Sequence, residues 1–301
     1  MDRSIKGTGE KIFQVVICVI LLWLAICAVM PFILLISSSF TAEDALLKYG
    51  YGFWPSQFSL YAYEYLFVTN RDKIFRAYGI TIMVTVIGVC LHLIVAPMLA
   101  YPLSRRDYPR RNVLSFMVIF TMLFNGGIVA GYIIWTQVFH IKNTIFALLF
   151  PGLVMNAFNI VLYRSSFASN IHPSLIEAAR LDGAGEFYIY RKIVLPLSLP
   201  ILAALGLMNG IGYWNDWNNG LYYISDTKLY SLQLLLNSIL QNIQALSQIV
   251  SQGGSNIDTS EMPSSGIRMA MAVIGTLPVM ILYPFFQKAF VAGITLGGVK
   301  E

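Results

Sequence analysis

Charge is scarce in this chain. Asp, Glu, Lys and Arg together make up 12% of its 301 residues, about half the share of an ordinary soluble domain. Cysteine is nearly absent: Cys18, Cys27 and Cys90 all lie inside apolar stretches, and no C-x-x-C pair exists. That excludes a disulfide framework and a thiolate metal site, and leaves each Cys as a small packing residue. The histidines His92, His140 and His172 are scattered, so no metal-ligand cluster is expected. His92, within an apolar stretch, reads as a packed, hydrogen-bonded residue. A Gly-Lys dipeptide is missing altogether, hence there is no Walker A phosphate loop. No Arg/Lys run alternates with aromatics, so the net charge of +5 is not a nucleic-acid footprint. A membrane enzyme would need paired acids or a His/Asp cluster near a span end. Glu177 and Asp182 are the only close pair so placed, and each has a structural task there.

Hydrophobic residues make up 57% of the chain, and the mean hydropathy is +0.67. These values point to an all-α, polytopic membrane protein, a single transmembrane domain over residues 1–301. Six spans are expected: about 12–36, 78–103, 113–135, 143–163, 197–213 and 267–290. The first is too long for a cleaved signal core, which runs to about 7–15 residues, and is read as an uncleaved span. Asn125-Gly126-Gly127 interrupts the third. Residues 124–140 therefore either extend it or lie at the outer interface.

Basic residues orient the chain. One side collects Arg3, Lys6, Lys11, Arg105, Arg106, Arg110, Arg111, Arg164, Arg180, Arg191, Lys192, Lys288 and Lys300; the other keeps Lys48, Arg71, Lys73, Arg76, Lys142, Lys228 and Arg268. The first side is cytoplasmic by this rule, with both termini, the loop 173–196 and the tail 291–301. The long loop 214–266 is then extracytoplasmic. Within it Leu232, Leu235, Leu236, Ile239, Leu240 and Ile243 recur at helical spacing.

The loop 173–196, PSLIEAARLDGAGEFYIYRKIVLP, carries dense mixed charge between two apolar segments. Pro173-Ser174-x-x-Glu177 reads as a capping box. Asp182-Gly183 reads as a helix stop. A second short helix is expected from Ala184 to about Val194, ended by Pro196.

Glu177-Ala178-Ala179, Gly183, then Ile193-x-Leu195-Pro196 fill every fixed position of a pattern about twenty residues long. The loop resembles the EAA loop of binding-protein-dependent ABC importer permeases. The tail QKAFVAGITLGGVKE is similar to that of the oligosaccharide, maltose-type branch. The resemblance implies a type I ABC importer permease fold in the bacterial cytoplasmic membrane. It also implies that Glu177, Ala178, Ala179, Asp182, Gly183, Ile193, Leu195 and Pro196 form the surface that couples to an ATPase. The implied partners are a second homologous permease (generally a different chain in that branch), two ATPase subunits and an extracytoplasmic substrate-binding protein. ATP and Mg would be bound by the ATPase, with no cofactor, no metal and no catalytic residue in this chain.

Asn156, Asn159 and Asn209 are polar within expected spans, and Tyr213 and Trp214 stand at the outer end of the fifth. An amide facing lipid is costly. These five are therefore candidates for the substrate pathway, with hydrogen bonding between helices as the alternative for the amides and interface anchoring for the aromatics. Two other readings stay open: the same importer class for an amino acid, peptide or anion, and a non-transporting membrane scaffold.

Overall fold

The computed structural model describes residues 8–251 and 265–298. Residues 1–7, 252–264 and 299–301, with Arg3, Lys6, Lys300 and the Met262-Pro263 end of the long loop, lie outside the described residues. In chain order the main helices are α1 (Thr8–Ser39), α2 (Glu43–Tyr49), α3 (Arg71–Ser104), α4 (Arg111–Leu123), α5 (Gly127–Val138), α6 (Phe146–Leu149) and α7 (Ala157–Asn170). They continue with α8 (Pro173–Leu181), α9 (Glu186–Leu197), α10 (Leu199–Trp214), α11 (Asn218–Tyr223), α12 (Leu232–Ser251) and α13 (Ser265–Gly298). The periodic leucines of the long loop thus form α12. Two compact units share these helices, residues 1–71 with 240–277 and residues 72–239 with 278–301.

In the first unit α1 is apolar all round, and none of its apolar window is buried. Its 32 residues measure about 48 Å at 1.5 Å per residue, more than the roughly 30 Å of a bilayer's hydrocarbon. Such a helix is stable where its surroundings are themselves apolar. Glu43, in the first turn of α2, accepts from the backbone N–H groups of Ser265 (2.8 Å) and Gly266 (3.1 Å). Its carboxylate therefore satisfies two donors at the start of α13.

In the second unit the core runs between α3, α7, α8, α9 and α10, with Ala96, Leu103, Tyr163, Phe167, Ile189 and Leu205 fully or almost fully buried. Gly206 and Gly210 of α10 bring its backbone against Leu93 and Val89 of α3. Small residues four apart permit this approach. Gly88 does the same for α3: a Cβ there would overlap the ring of Tyr213.

Three apolar stretches are broken. α4 and α5 meet at 115°. Asn125 Oδ1 accepts from the Gly127 N–H at 2.9 Å, and Gly127 takes φ +78°, so residues 124–126 turn the chain and α5 leaves the axis of α4. Residues 143–163 are not one helix: α6 and α7 flank a non-helical segment over 150–156, with Pro151 followed by Gly152 at φ +75°. α9 and α10 meet at 80° across Ser198. Here the expected helix end is corrected. α9 runs past Pro196 to Leu197, because the chain widens to a π turn over Tyr190–Val194 just before the proline. A π turn takes up the i−4 bond that proline cannot make.

Gly88→Ala should lower stability by about 1–3 kcal/mol, the cost of overpacking a filled site. Gly79→Ala, where an added methyl meets open space, should not. Thermal unfolding of the two variants in the same detergent compares them directly.

Candidate functional site

The charged loop begins with a different cap from the one its sequence suggests. His172, not Ser174, is the N-cap of α8: its Nδ1 accepts from the Ser174 N–H (3.4 Å) and from the Ser174 hydroxyl (2.7 Å). Pro173 fills the first helical position, where a missing N–H costs nothing. Glu177 does not reach back. Its carboxylate is exposed and makes no hydrogen bond or ion pair with any described residue.

The end of α8 follows the sequence. Gly183 sits at φ +83°, the Gly183 N–H bonds Arg180 O at 3.0 Å and the Ala184 N–H bonds Ala179 O at 2.9 Å. That pair of bonds is the Schellman stop.

One face of α8 is anchored and the other is free. Ile176 is buried in the core, while Leu175, Glu177, Ala178, Leu181 and Asp182 are exposed, Leu181 to 89%. Ala179, Ile193 and Leu195 are half-buried against the core, and Gly183 and Pro196 are exposed. Leu175, Ala178 and Leu181, three residues apart in turn, present an uncovered apolar stripe edged by two carboxylates.

A closed ring of charges fastens this loop to α3. Arg105, just past the end of α3, donates to both Asp107 oxygens (2.9 and 2.7 Å). Arg180, in the last turn of α8, donates to Asp107 at 2.8 Å and to Glu186 at 2.7 Å. Glu186, the first residue of α9, also accepts from the Tyr101 hydroxyl at 2.8 Å and lies 3.5 Å from Arg105. Tyr101 in turn accepts from Arg105 at 2.8 Å.

The Arg105 side chain is only 12% exposed, whereas the other three charges are 42–53% exposed. The hydrogen bonds from Arg105 hold the Asp107 carboxyl at about 2, with Arg180 adding to the effect and partial burial opposing it. Burial pushes Glu186 up, but the bonds from Arg180 and Tyr101 outweigh it and its pKa is lowered. Both carboxylates are thus anionic at neutral pH. Two bidentate-capable guanidiniums alternating with two carboxylates hold geometry better than isolated surface pairs.

The non-helical segment 150–156 has its own partners. Its carbonyls lack helical donors, and unpaired polar backbone is not tolerated in an apolar setting. Tyr213 donates to Leu149 O at the end of α6 (2.8 Å), and within the segment Asn219 Nδ2 donates to Pro151 O (3.1 Å), Asn209 Nδ2 to Leu153 O (2.9 Å) and His92 Nδ1 to Val154 O (2.9 Å). A carbonyl only accepts, so His92 carries its proton on Nδ1. Its Nε2 then faces the Asn159 amide at 3.5 Å as acceptor. Asn156 is the N-cap of α7 and accepts from the Phe158 and Asn159 N–H groups. Trp214 is 7% exposed, with its ring beside Tyr78.

Asn156, Asn159, Asn209 and Tyr213 therefore gather around one break in the chain, each with a hydrogen-bonding task. His92 and Asn219 complete the set. Neither was singled out as a pathway residue from sequence; the Pro151-Gly152 turn signal was the available clue. No group of three His, Cys, Asp or Glu able to hold a metal occurs among the described residues.

Residues 71–296 match the family described as "Binding-protein-dependent transport system inner membrane component", and the chain belongs to that family. It is accordingly a transport component and not an enzyme. It is 37% identical to the polygalacturonan/rhamnogalacturonan transport system permease protein YtcP of Bacillus subtilis (strain 168), over 97% of this chain and 99% of that one. It is 28% identical to the arabinooligosaccharides transport system permease protein AraQ of Halalkalibacterium halodurans, over 92% and 93%.

Among solved structures, a chain of a bacterial ABC transporter involved in the import of the acidic polysaccharide alginate superposes with a TM-score of 0.76 at 30% identity. The match covers 94% of this chain and 98% of that one. The all-α ABC importer permease fold expected from the sequence is therefore the fold this chain has. A second, 14% identical chain shares the fold at a TM-score of 0.50, covering 92% and 93%; it comes from the alginate transporter in complex with an alginate pentasaccharide-bound periplasmic protein.

Tyr213→Phe keeps the ring and removes only the bond to Leu149 O. A carbonyl left buried and unpaired should lower stability by about 1–3 kcal/mol. Tyr222→Phe, at a half-exposed ring, should have little effect. Chemical denaturation of the purified chain in detergent reads both.

Proposed function

We propose that this chain is one transmembrane subunit of an ATP-driven importer that takes oligosaccharides from an extracytoplasmic binding protein. The observation that carries the reading is α8: a capped helix, anchored through Ile176 on one side, with an uncovered Leu175, Ala178 and Leu181 stripe on the other. A short helix with an apolar face seeks a groove, and the groove proposed is on an ATPase subunit. Glu177, Ala178, Ala179, Asp182 and Gly183 form the contact, while Ile193, Leu195 and Pro196 fix the second arm of the loop. The similarity to polygalacturonan/rhamnogalacturonan and arabinooligosaccharide permeases supports an oligosaccharide as cargo.

The full assembly is two permeases, this chain and a homologue, with two ATPases and the binding protein. ATP and Mg belong to the ATPases. Six spans cross the bacterial cytoplasmic membrane, with both termini and α8 in the cytoplasm and residues 214–266 outside. Spans three to five are built from the bent and broken helices. The segment 150–156, with Asn156, Asn159, Asn209, Tyr213 and Trp214 around it, lines the pathway near mid-membrane. Irregular backbone is tolerated at that depth only where protein or a water-filled cavity surrounds it.

Closure of the ATPases moves α8, and the charge ring passes the motion to α3, so that the two permeases rock between outward- and inward-open states.

The test is ATP hydrolysis by the reconstituted complex, with and without binding protein and oligosaccharide, for the native chain and for Glu177→Lys. Loaded binding protein should stimulate the native complex, and the charge reversal should uncouple or disassemble it. Normal stimulation of Glu177→Lys would remove α8 from the docking role. Stimulation of the native complex only by a non-sugar solute would overturn the cargo assignment.

A further inference from the structure

A cavity of about 670 Å³ opens beside α8, between the end of α3, the start of α4 and α7. Arg105, Arg106, Arg111, Arg164 and Arg180 line it, against the carboxylates of Asp107 and Glu177 alone. Asp107 is already committed to Arg105 and Arg180 in the charge ring. Arg106, Arg111 and Arg164 form no ion pair among the described residues. Arg111 is the informative one: its Nε is closed off from solvent and has no hydrogen-bond partner there. A guanidinium nitrogen removed from water without an acceptor is costly, and an anion in the cavity would offset that cost.

The three free guanidiniums come from three separate backbone elements, the loop after α3, the first residue of α4, and α7. Their convergence is therefore fixed by the fold and not by one flexible segment. One wall is apolar, from Phe167, Ile171 and Ile176, with Tyr101, Ser104 and His172 also in the lining. The cavity also far exceeds what a small inorganic anion needs, given that one water occupies about 30 Å³.

We propose that this cavity binds the phosphate of an acidic phospholipid. The phosphate diester sits among Arg106, Arg111 and Arg164, and the glycerol and first acyl carbons lie on Phe167, Ile171 and Ile176. Arginine suits the task because it presents a fork of donors to phosphate oxygens, and basic pockets at the ends of membrane helices take such headgroups. Free phosphate shares the charge chemistry but has nothing to place on the apolar wall. Because the cavity shares Arg105 and Arg180 with the ring, a bound lipid would also brace the loop that carries α8. The proposal is independent of which solute is imported.

The complete transporter is reconstituted in nanodiscs of phosphatidylcholine with or without phosphatidylglycerol, and lipid retained by the permease is counted by native mass spectrometry. Phosphatidylglycerol should be retained in preference to phosphatidylcholine. Arg111→Gln with Arg164→Gln should weaken retention about thirtyfold, and Arg106→Gln, at an exposed position that leaves folding undisturbed, about fivefold. Arg111→Lys with Arg164→Lys should keep most of it. Equal retention by Arg106→Gln and the native chain would overturn the proposal. So would displacement of the lipid by millimolar inorganic phosphate, which would make a soluble anion the ligand. Retention by the permeases alone but not by the assembled transporter would also overturn it, by assigning the arginines to an acidic surface of the ATPase.

Discussion

A polar group withdrawn from water must find a partner, and this requirement shapes the chain at the end of its long apolar helix α3 and along its interior. At that end the requirement falls on Arg105, whose side chain is almost wholly covered. Asp107, Glu186 and Tyr101 answer it, and Arg180 closes the ring. Arg105, the covered member, is the one for which loss of its partners costs most. The four charges thus tie the end of α3 to the end of α8 and the start of α9.

The same requirement explains the interior. An apolar helix is the simplest way to satisfy backbone in a membrane, and this chain abandons it at 150–156. Every side chain that compensates comes from a neighbouring element: His92 from α3, Asn209 and Tyr213 from α10, Asn219 from α11. Gly88, Gly206 and Gly210 bring α3 and α10 close enough for this to be possible. The break is thus built, and side chains from three neighbouring elements hold it.

Much of this was legible in the residues. The apolar stretches, the α12 periodicity and the Asp182-Gly183 stop follow from local chemistry, and the EAA pattern carried the family. The broken helices were harder, because hydropathy over 143–163 is continuous and only Pro151-Gly152 marks the turn. The capping box misled for a local reason: His172 offers a ring nitrogen one position before a proline, and the proline then takes the first helical position. The charge ring could not be read at all. Arg105 and Asp107 lie some seventy to eighty residues from Arg180 and Glu186, and only the packing of α3 against α8 and α9 brings them together.

Whether α8 and the end of α3 move as one body can be measured with spin labels at Ser174→Cys, outside the docking stripe, and Pro109→Cys, both exposed, in a chain whose Cys18, Cys27 and Cys90 are replaced by Ser. Distances between the labels are recorded by double electron–electron resonance in the assembled transporter, nucleotide-free and then trapped with ATP and vanadate. A single unchanged distance across the cycle is the predicted result. A shift or a second population in the trapped state would contradict it, because α8 would then move without α3 and the charge ring would transmit nothing.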